Sequence, residues 1–147
     1  MSVTPVAKEL SLFLADTFVY QLLCQNFHWN VTGLQFYSLH SFFEEAYSEV
    51  HGTVDAIAER IRALDSKPPA SLKEISSLTR LNEAQGIKKS EEMLEHLLKS
   101  SASLCISLKK SIKVAEQDED PTTADLLTES LQIYEKHAWM LRSLLQV

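Results

Sequence analysis

The sequence predicts an all-α protein: four long helices packed as a bundle, with a short extra helix between the second and third. Three observations carry this. Apolar residues recur at helical spacing in long segments. Gly and Pro together number only seven of 147 residues (three and four), an ordered, helical composition. Helix-start signals stand where these segments should begin. The length fits one domain, 1–147, with a sizeable core.

Thr4-Pro5 reads as an N-cap followed by the favoured first-turn proline. Leu10, Phe13, Leu14, Thr17, Phe18, Gln21 and Leu22 then set a helical stripe, with Phe27 and Trp29 beyond. The first helix is expected over about 5–31, closed by Gly33 as a C′ glycine. The second should run over about 36–64 and stop before Lys67-Pro68-Pro69. The segment 65–87 is too long for an ordinary bundle turn. Ser71-Leu72-Lys73-Glu74 within it matches a capping box and places the short helix at about 71–79. The third long helix is expected over about 88–116. Asp118-Glu119-Asp120-Pro121 breaks it and starts the fourth, about 121–145. No internal repeat or low-complexity tract interrupts the pattern. Four long helices with one interrupted connection make a bundle.

The formal net charge of −6 attracts cations and repels phosphate backbones. The first ten residues hold only Lys8, and the last six read RSLLQV, so no basic arm is expected. Lys88-Lys89 and Lys109-Lys110 are short clusters that fit a solvated helix face. No apolar stretch reaches the roughly 20 residues needed to span a bilayer. The N-terminus lacks a basic-then-apolar signal pattern, which points to the cytoplasm. Cys24 and Cys105 are isolated and fit reduced packing residues rather than a disulfide framework.

One constellation carries chemistry. His28 and His40 are equidistant from position 34, beside Gly33, as a helical hairpin bringing two imidazoles together requires. His40 with Glu59, and Glu44 with Asp55, are each symmetric about the midpoint between Glu49 and Val50. Positions 40, 44, 51, 55 and 59 share an arc of roughly 100° on one helix. Taken alone, such a stripe could face solvent. Glu44 and Asp55, however, are about 16 Å apart along the axis and cannot bind one ion from one helix. A two-fold axis near Glu49 and Val50 sets His40 and Glu44 of one chain beside Glu59 and Asp55 of another. It makes two equivalent sites per dimer. Imidazole plus carboxylate, with open positions, suits redox-active iron. Bundles that keep two irons within one subunit commonly use paired Glu-x-x-His motifs, and this chain has none.

HWNVTG, FYSLH, FEEAY, VDAIAERIRALD and, near the end, EKHAWM closely resemble the Dps family of mini-ferritins, over nearly the whole chain. The resemblance implies a ferritin-like four-helix bundle assembled as a hollow dodecamer of two-fold dimers. It implies oxidation of Fe²⁺ to Fe³⁺, usually with hydrogen peroxide, and storage of the ferric mineral inside the shell. Iron is the expected metal; Zn²⁺ is a candidate competitor, and the sequence leaves open whether it competes. By the same resemblance, His28, His40, Glu44, Asp55 and Glu59 fall on the ferroxidase positions. Asp55 and Glu59 would come from one subunit and His28, His40 and Glu44 from its two-fold mate. Many members carry Asp where this chain has Glu44. The longer arm leaves two roles open, direct coordination or action through water or an orienting bond to His28 or His40.

Other positions carry paired readings. Trp29 is either a core aromatic or an electron donor beside the iron site. His51 lies on the stripe as an accessory ligand or as a surface or packing residue. His96 and His137 lack convergent partners and fit satisfied structural histidines. Asp118, Glu119, Asp120, Asp125 and Glu129 crowd the start of the fourth helix, where carboxylates interact favourably with the helix dipole. Asp120, Asp125 and Glu129 could also ring a three-fold pore that concentrates Fe²⁺, as acidic pores do in the family.

Three functions compete: a peroxide-dependent ferroxidase and iron store protecting against oxidative stress, a nucleoid-associated DNA-binding protein, and a shell used only for protein interaction. The charge predicts weak or absent DNA binding, and all five site positions favour the enzyme.

Overall fold

The computed structural model describes residues 3–147; Met1 and Ser2 of the expected domain lie outside the described residues. The chain forms α1 (Pro5–Asn30), α2 (Phe36–Ala63), α3 (Leu72–Leu78), α4 (Ser90–Gln117) and α5 (Pro121–Leu145), with no strand among the described residues. The expected boundaries hold to within two residues.

Local chemistry explains the helix starts. Thr4 Oγ1 accepts from the Ala7 N–H at 3.1 Å, with Pro5 in the first turn. Ser71 caps α3 in a complete capping box with Glu74. Asp120 caps α5 by accepting from the Thr123 N–H at 3.0 Å, ahead of Pro121. One expected device differs. Gly33 is not the C′ residue of α1: the helix closes at Val31, in extended backbone, whose N–H donates to the Phe27 carbonyl at 2.9 Å. Gly33 sits in the turn that follows, at φ +109°, a conformation that glycine adopts freely.

The long helices form a ring in which α1 packs on α2 and α4, and α5 packs on α4 and α2. Neighbours run antiparallel. Glu9 at the start of α1 accepts from Ser111 near the end of α4, and Arg60 near the end of α2 bonds Thr123 at the start of α5. α2 and α4 therefore run the same way, and only a crossover spanning the bundle can join them. A buried anchor ties that crossover down. Asp16 of α1, 1% exposed, accepts from Thr79 Oγ1 at 2.9 Å, the Arg80 N–H at 2.7 Å and Arg80 Nε at 2.9 Å.

Phe13, Tyr20, Phe27, Phe43, Ile57, Met93, Leu97 and Tyr134 are among the side chains that fill the core. The expected stripe on α1 needs correction. Phe18 and Leu22 are 40% and 54% exposed, while Tyr20, Leu23 and Cys24 are buried. α1 is apolar on nearly every side, so its sequence does not mark which side faces its own bundle.

Candidate metal centre

The end of α1 and the start of α2 bring His28 and His40 together. Their rings stack with centroids 3.8 Å apart and planes 11° from parallel. Each Nδ1–H donates to the other residue's backbone carbonyl: His28 to His40 at 2.8 Å, His40 to His28 at 2.7 Å. A carbonyl oxygen only accepts, so both Nδ1 atoms carry a proton, and in the neutral form of each ring the lone pair lies on Nε2. This is the orientation that outer partners impose on metal-binding histidines. The His28 carbonyl also lies in the last turn of α1, among the groups a helix leaves unpaired, and His40 satisfies it. Phe36 stacks on His40 at 5.0 Å, and Tyr47 meets His28 edge-on at 5.4 Å.

The carboxylates do not join them within one chain. Glu44, Asp55 and Glu59 are exposed along α2. Among the described residues, no three His, Cys, Asp or Glu side chains converge on one point. The structure thus shows a preformed imidazole pair and a separate stripe of open carboxylates. Beside the stripe lies a groove of about 680 Å³ between α1, α2 and the crossover, lined by Phe18, Leu22, Val54, Ala58, Leu72 and Ile75 among others.

The remaining residues sort themselves. Trp29 is 64% exposed, which removes the core reading within the subunit. His51 is exposed, with Nδ1 3.3 Å from Gln21 Oε1. His96 Nε2 bonds the Asn82 carbonyl at 2.9 Å, and His137 is buried against Tyr20 and Glu49. Both are satisfied structurally, as expected. Cys24 is buried and Cys105 half-buried, and both are free. Burial pushes both thiols up, which disfavours the reactive thiolate.

At the start of α5, Asp125 and Glu129 are exposed one turn apart. Asp120 is committed elsewhere. Its carboxylate caps α5 and pairs with Arg60 Nη2 at 2.9 Å. Burial opposes its charge, but bonds from Thr123 and Arg60 outweigh that and hold its pKa below the usual carboxylate value. A ring of inlet carboxylates can therefore draw on Asp125 and Glu129 but not on a free Asp120.

Sequence reasoning missed two polar assemblies: the Asp16 anchor and the Tyr20–His137–Glu49 chain. An acidic residue inside the apolar run Leu14-Ala15-Asp16-Thr17 could have flagged the first. Nothing in the spacing signals the second, because its members come from three helices.

The chain resembles known proteins in sequence and in fold. Residues 7–147 match the family model described as a ferritin-like domain. The chain is 40% identical over 140 residues to DNA protection during starvation protein 2 of Bacillus anthracis, covering 95% of this chain and 96% of that one. It superposes on the crystal structure of Dps from Staphylococcus aureus with a TM-score of 0.93 and 34% identity, over 97% of this chain and 95% of that one. A Vibrio cholerae DPS protein, described as a member of a broad superfamily of ferritin-like diiron-carboxylate proteins, matches with a TM-score of 0.91 and 26% identity, over 95% and 88% of the two chains. Sequence and fold agree: the chain belongs to the Dps family of ferritin-like proteins.

Proposed function

We propose that this protein is a ferroxidase and iron store. It binds Fe²⁺ as substrate at sites shared across two-fold dimers and oxidises it to Fe³⁺, preferentially with hydrogen peroxide. The ferric mineral is kept inside a dodecameric shell in the cytoplasm. The observation that carries the reading is the His28–His40 pair, with both rings fixed through Nδ1 by backbone carbonyls, which leaves each Nε2 for a metal. His28 and His40 bind Fe²⁺ as neutral imidazoles. Asp55 and Glu59 of the two-fold mate complete the ligand set and favour the ferric product. Glu44 binds directly, or through water from its position one turn after His40. This donor set fits iron and admits Zn²⁺ as a competitor. The apolar groove beside the stripe supports a dimer contact there. Trp29, exposed next to His28, intercepts stray oxidising equivalents. Asp125 and Glu129 draw Fe²⁺ towards the shell. The whole chain, 1–147, acts as one domain.

The name of the Bacillus anthracis relative speaks of DNA protection. Consuming Fe²⁺ and peroxide together protects DNA without touching it, by removing the reactants that generate hydroxyl radical. The net charge of −6 disfavours direct binding to a phosphate backbone. The test is Fe²⁺ oxidation by peroxide in the wild type and in Asp55→Ala/Glu59→Ala. The variant should assemble normally and lose the fast phase; an unaltered rate contradicts the assignment.

A further inference from the structure

Away from the metal centre, α1, α2 and α5 each give one side chain to a buried polar chain. Tyr20 is 0% exposed, and its phenol oxygen lies 3.0 Å from Nδ1 of His137, itself 2% exposed. The two rings stack with centroids 5.9 Å apart. On the far side, His137 Nε2 faces Oε1 of Glu49 at 3.5 Å, and the other Glu49 oxygen holds Lys136 Nζ at 3.1 Å. Carboxylate oxygens only accept, so the Nε2 facing Glu49 carries the ring proton. Nδ1 then accepts from the Tyr20 O–H. Burial lowers the proton affinity of His137, with Glu49 pulling the other way, so the resting ring is a neutral base.

A buried phenol with its own base is arranged for one-electron oxidation. Removing an electron makes the phenol strongly acidic, and a cationic ring in an apolar core is costly. Here the proton has a place to go. It crosses one hydrogen bond to His137, and the half-buried Glu49 carboxylate, which it shares with Lys136, offsets part of the new imidazolium charge. Tyr134 provides the contrast: it packs edge-on to Tyr20 at 5.0 Å and is equally buried, but its hydroxyl has no hydrogen-bond partner among the described residues.

We infer that Tyr20 is a redox-active residue, with His137 holding its proton and Glu49 stabilising that charge, and that it supplies one electron to the peroxide chemistry. The inference rests on the ferroxidase reading for its oxidant. Tyr20 and His28 lie on the same helix, about 12 Å apart along its axis. Reducing peroxide to two waters takes two electrons. A site holding two Fe²⁺ supplies both. A site holding one Fe²⁺ lacks the second electron, and a side chain must supply it, Trp29 at the surface or Tyr20 in the core, to prevent release of hydroxyl radical. Tyr20 closes the balance: H₂O₂ + Fe²⁺ + Tyr20–OH + His137 + 2H⁺ gives Fe³⁺ + Tyr20–O• + His137–H⁺ + 2H₂O. A later Fe²⁺ restores the pair, giving Fe³⁺, Tyr20–OH and neutral His137.

The experiment is freeze-quench electron paramagnetic resonance on the assembled protein, loaded with less than one Fe²⁺ per site and mixed with peroxide. The expected result is a neutral tyrosyl radical that decays on adding more Fe²⁺. Tyr20→Phe should lose most of that signal and release more spin-trapped hydroxyl radical. The chain has four tyrosines. The triple variant Tyr37→Phe/Tyr47→Phe/Tyr134→Phe leaves Tyr20 alone and should keep the signal, which also covers a Tyr20→Phe chain that fails to assemble. Glu49→Gln, which removes the stabilising charge, should lower the radical yield. Rapid iron oxidation without a Tyr20-dependent radical overturns this inference alone. Failure to oxidise iron at all overturns the ferroxidase reading, and this one with it.

Discussion

His28 and His40 hold each other's backbone: each ring donates from Nδ1 to the other's carbonyl, at 2.8 and 2.7 Å, while the rings stack. One pair of side chains thus closes the end of α1, fixes the α1–α2 hairpin and keeps both Nε2 atoms out of those bonds. Structure and chemistry are coupled at this point.

The coupling predicts a double effect for His40→Ala. The variant should bind Fe²⁺ and Zn²⁺ more weakly by calorimetric titration. It should also lose stability, by about 1 kcal/mol, because the His28 carbonyl loses its partner. Weaker metal binding with unchanged urea unfolding would show that the hydrogen bond does not hold the hairpin.

Asp120 should behave as a cap and ion-pair residue. Asp120→Ala is expected to cost about 1–2 kcal/mol in urea unfolding, chiefly through the lost cap. Asp120→Asn keeps an acceptor and should cost less. The pH dependence has a definite sign. Because the folded pKa lies below the ordinary 3.8, the contribution is complete above that value and disappears as pH falls through the folded one. Equal stability of wild type and Asp120→Ala at pH 7 would contradict this.

His137 should titrate below its ordinary value of 6.5, since burial lowers it and Glu49 only partly compensates. The unfolded chain then takes up this proton before the folded one does. Stability falls as pH drops below 6.5, by at most about 1.4 kcal/mol per pH unit for this residue. The His137 imidazole resonances in a nuclear magnetic resonance titration check it. A midpoint above 6.5 would mean that the Glu49 charge dominates.

Asp125→Asn with Glu129→Gln keeps shape and removes charge at the proposed iron inlet. Iron uptake should slow at low ionic strength and approach the wild-type rate as salt screens the field. Stopped-flow uptake kinetics on the intact shell decide it; identical kinetics at low salt would leave these residues with a helix-dipole role only.

Gel-shift assays at about 0.15 M salt should show weak or no duplex binding, because affinity for DNA depends on cationic contacts that release counterions. Tight binding there would require a cationic surface that the chain's net charge of −6 does not suggest.

The helix plan was legible because Thr4-Pro5, Ser71–Glu74 and Asp120-Pro121 are local signals that act through their own backbones. The His28–His40 meeting was legible too, since symmetric spacing about a short turn fixes which residues face each other. The face of α1 was not. Phe18, Leu22, Tyr20 and Leu23 are all apolar, and only packing separates the first two from the last two. Gly33 misled because a glycine after a helix fits both a C′ position and a free-standing turn. Asp16–Arg80 and Tyr20–His137–Glu49 join residues far apart in sequence, with no period to betray them. The proposal that the site is shared came from a distance that one helix cannot close.

That sharing is tested most directly by subunit mixing. One chain carries His28→Ala/His40→Ala and the other Asp55→Ala/Glu59→Ala, each inactive alone. In a mixed dimer, a site shared across the two-fold takes intact histidines from the second chain and intact carboxylates from the first, so one of its two sites is restored. Unfolding and reassembling equal amounts should recover about a quarter of the wild-type sites, since half the dimers are mixed. Fast Fe²⁺ oxidation returning to that level confirms the shared centre. No recovery from well-assembled mixed shells would place all the ligands in one subunit and contradict it.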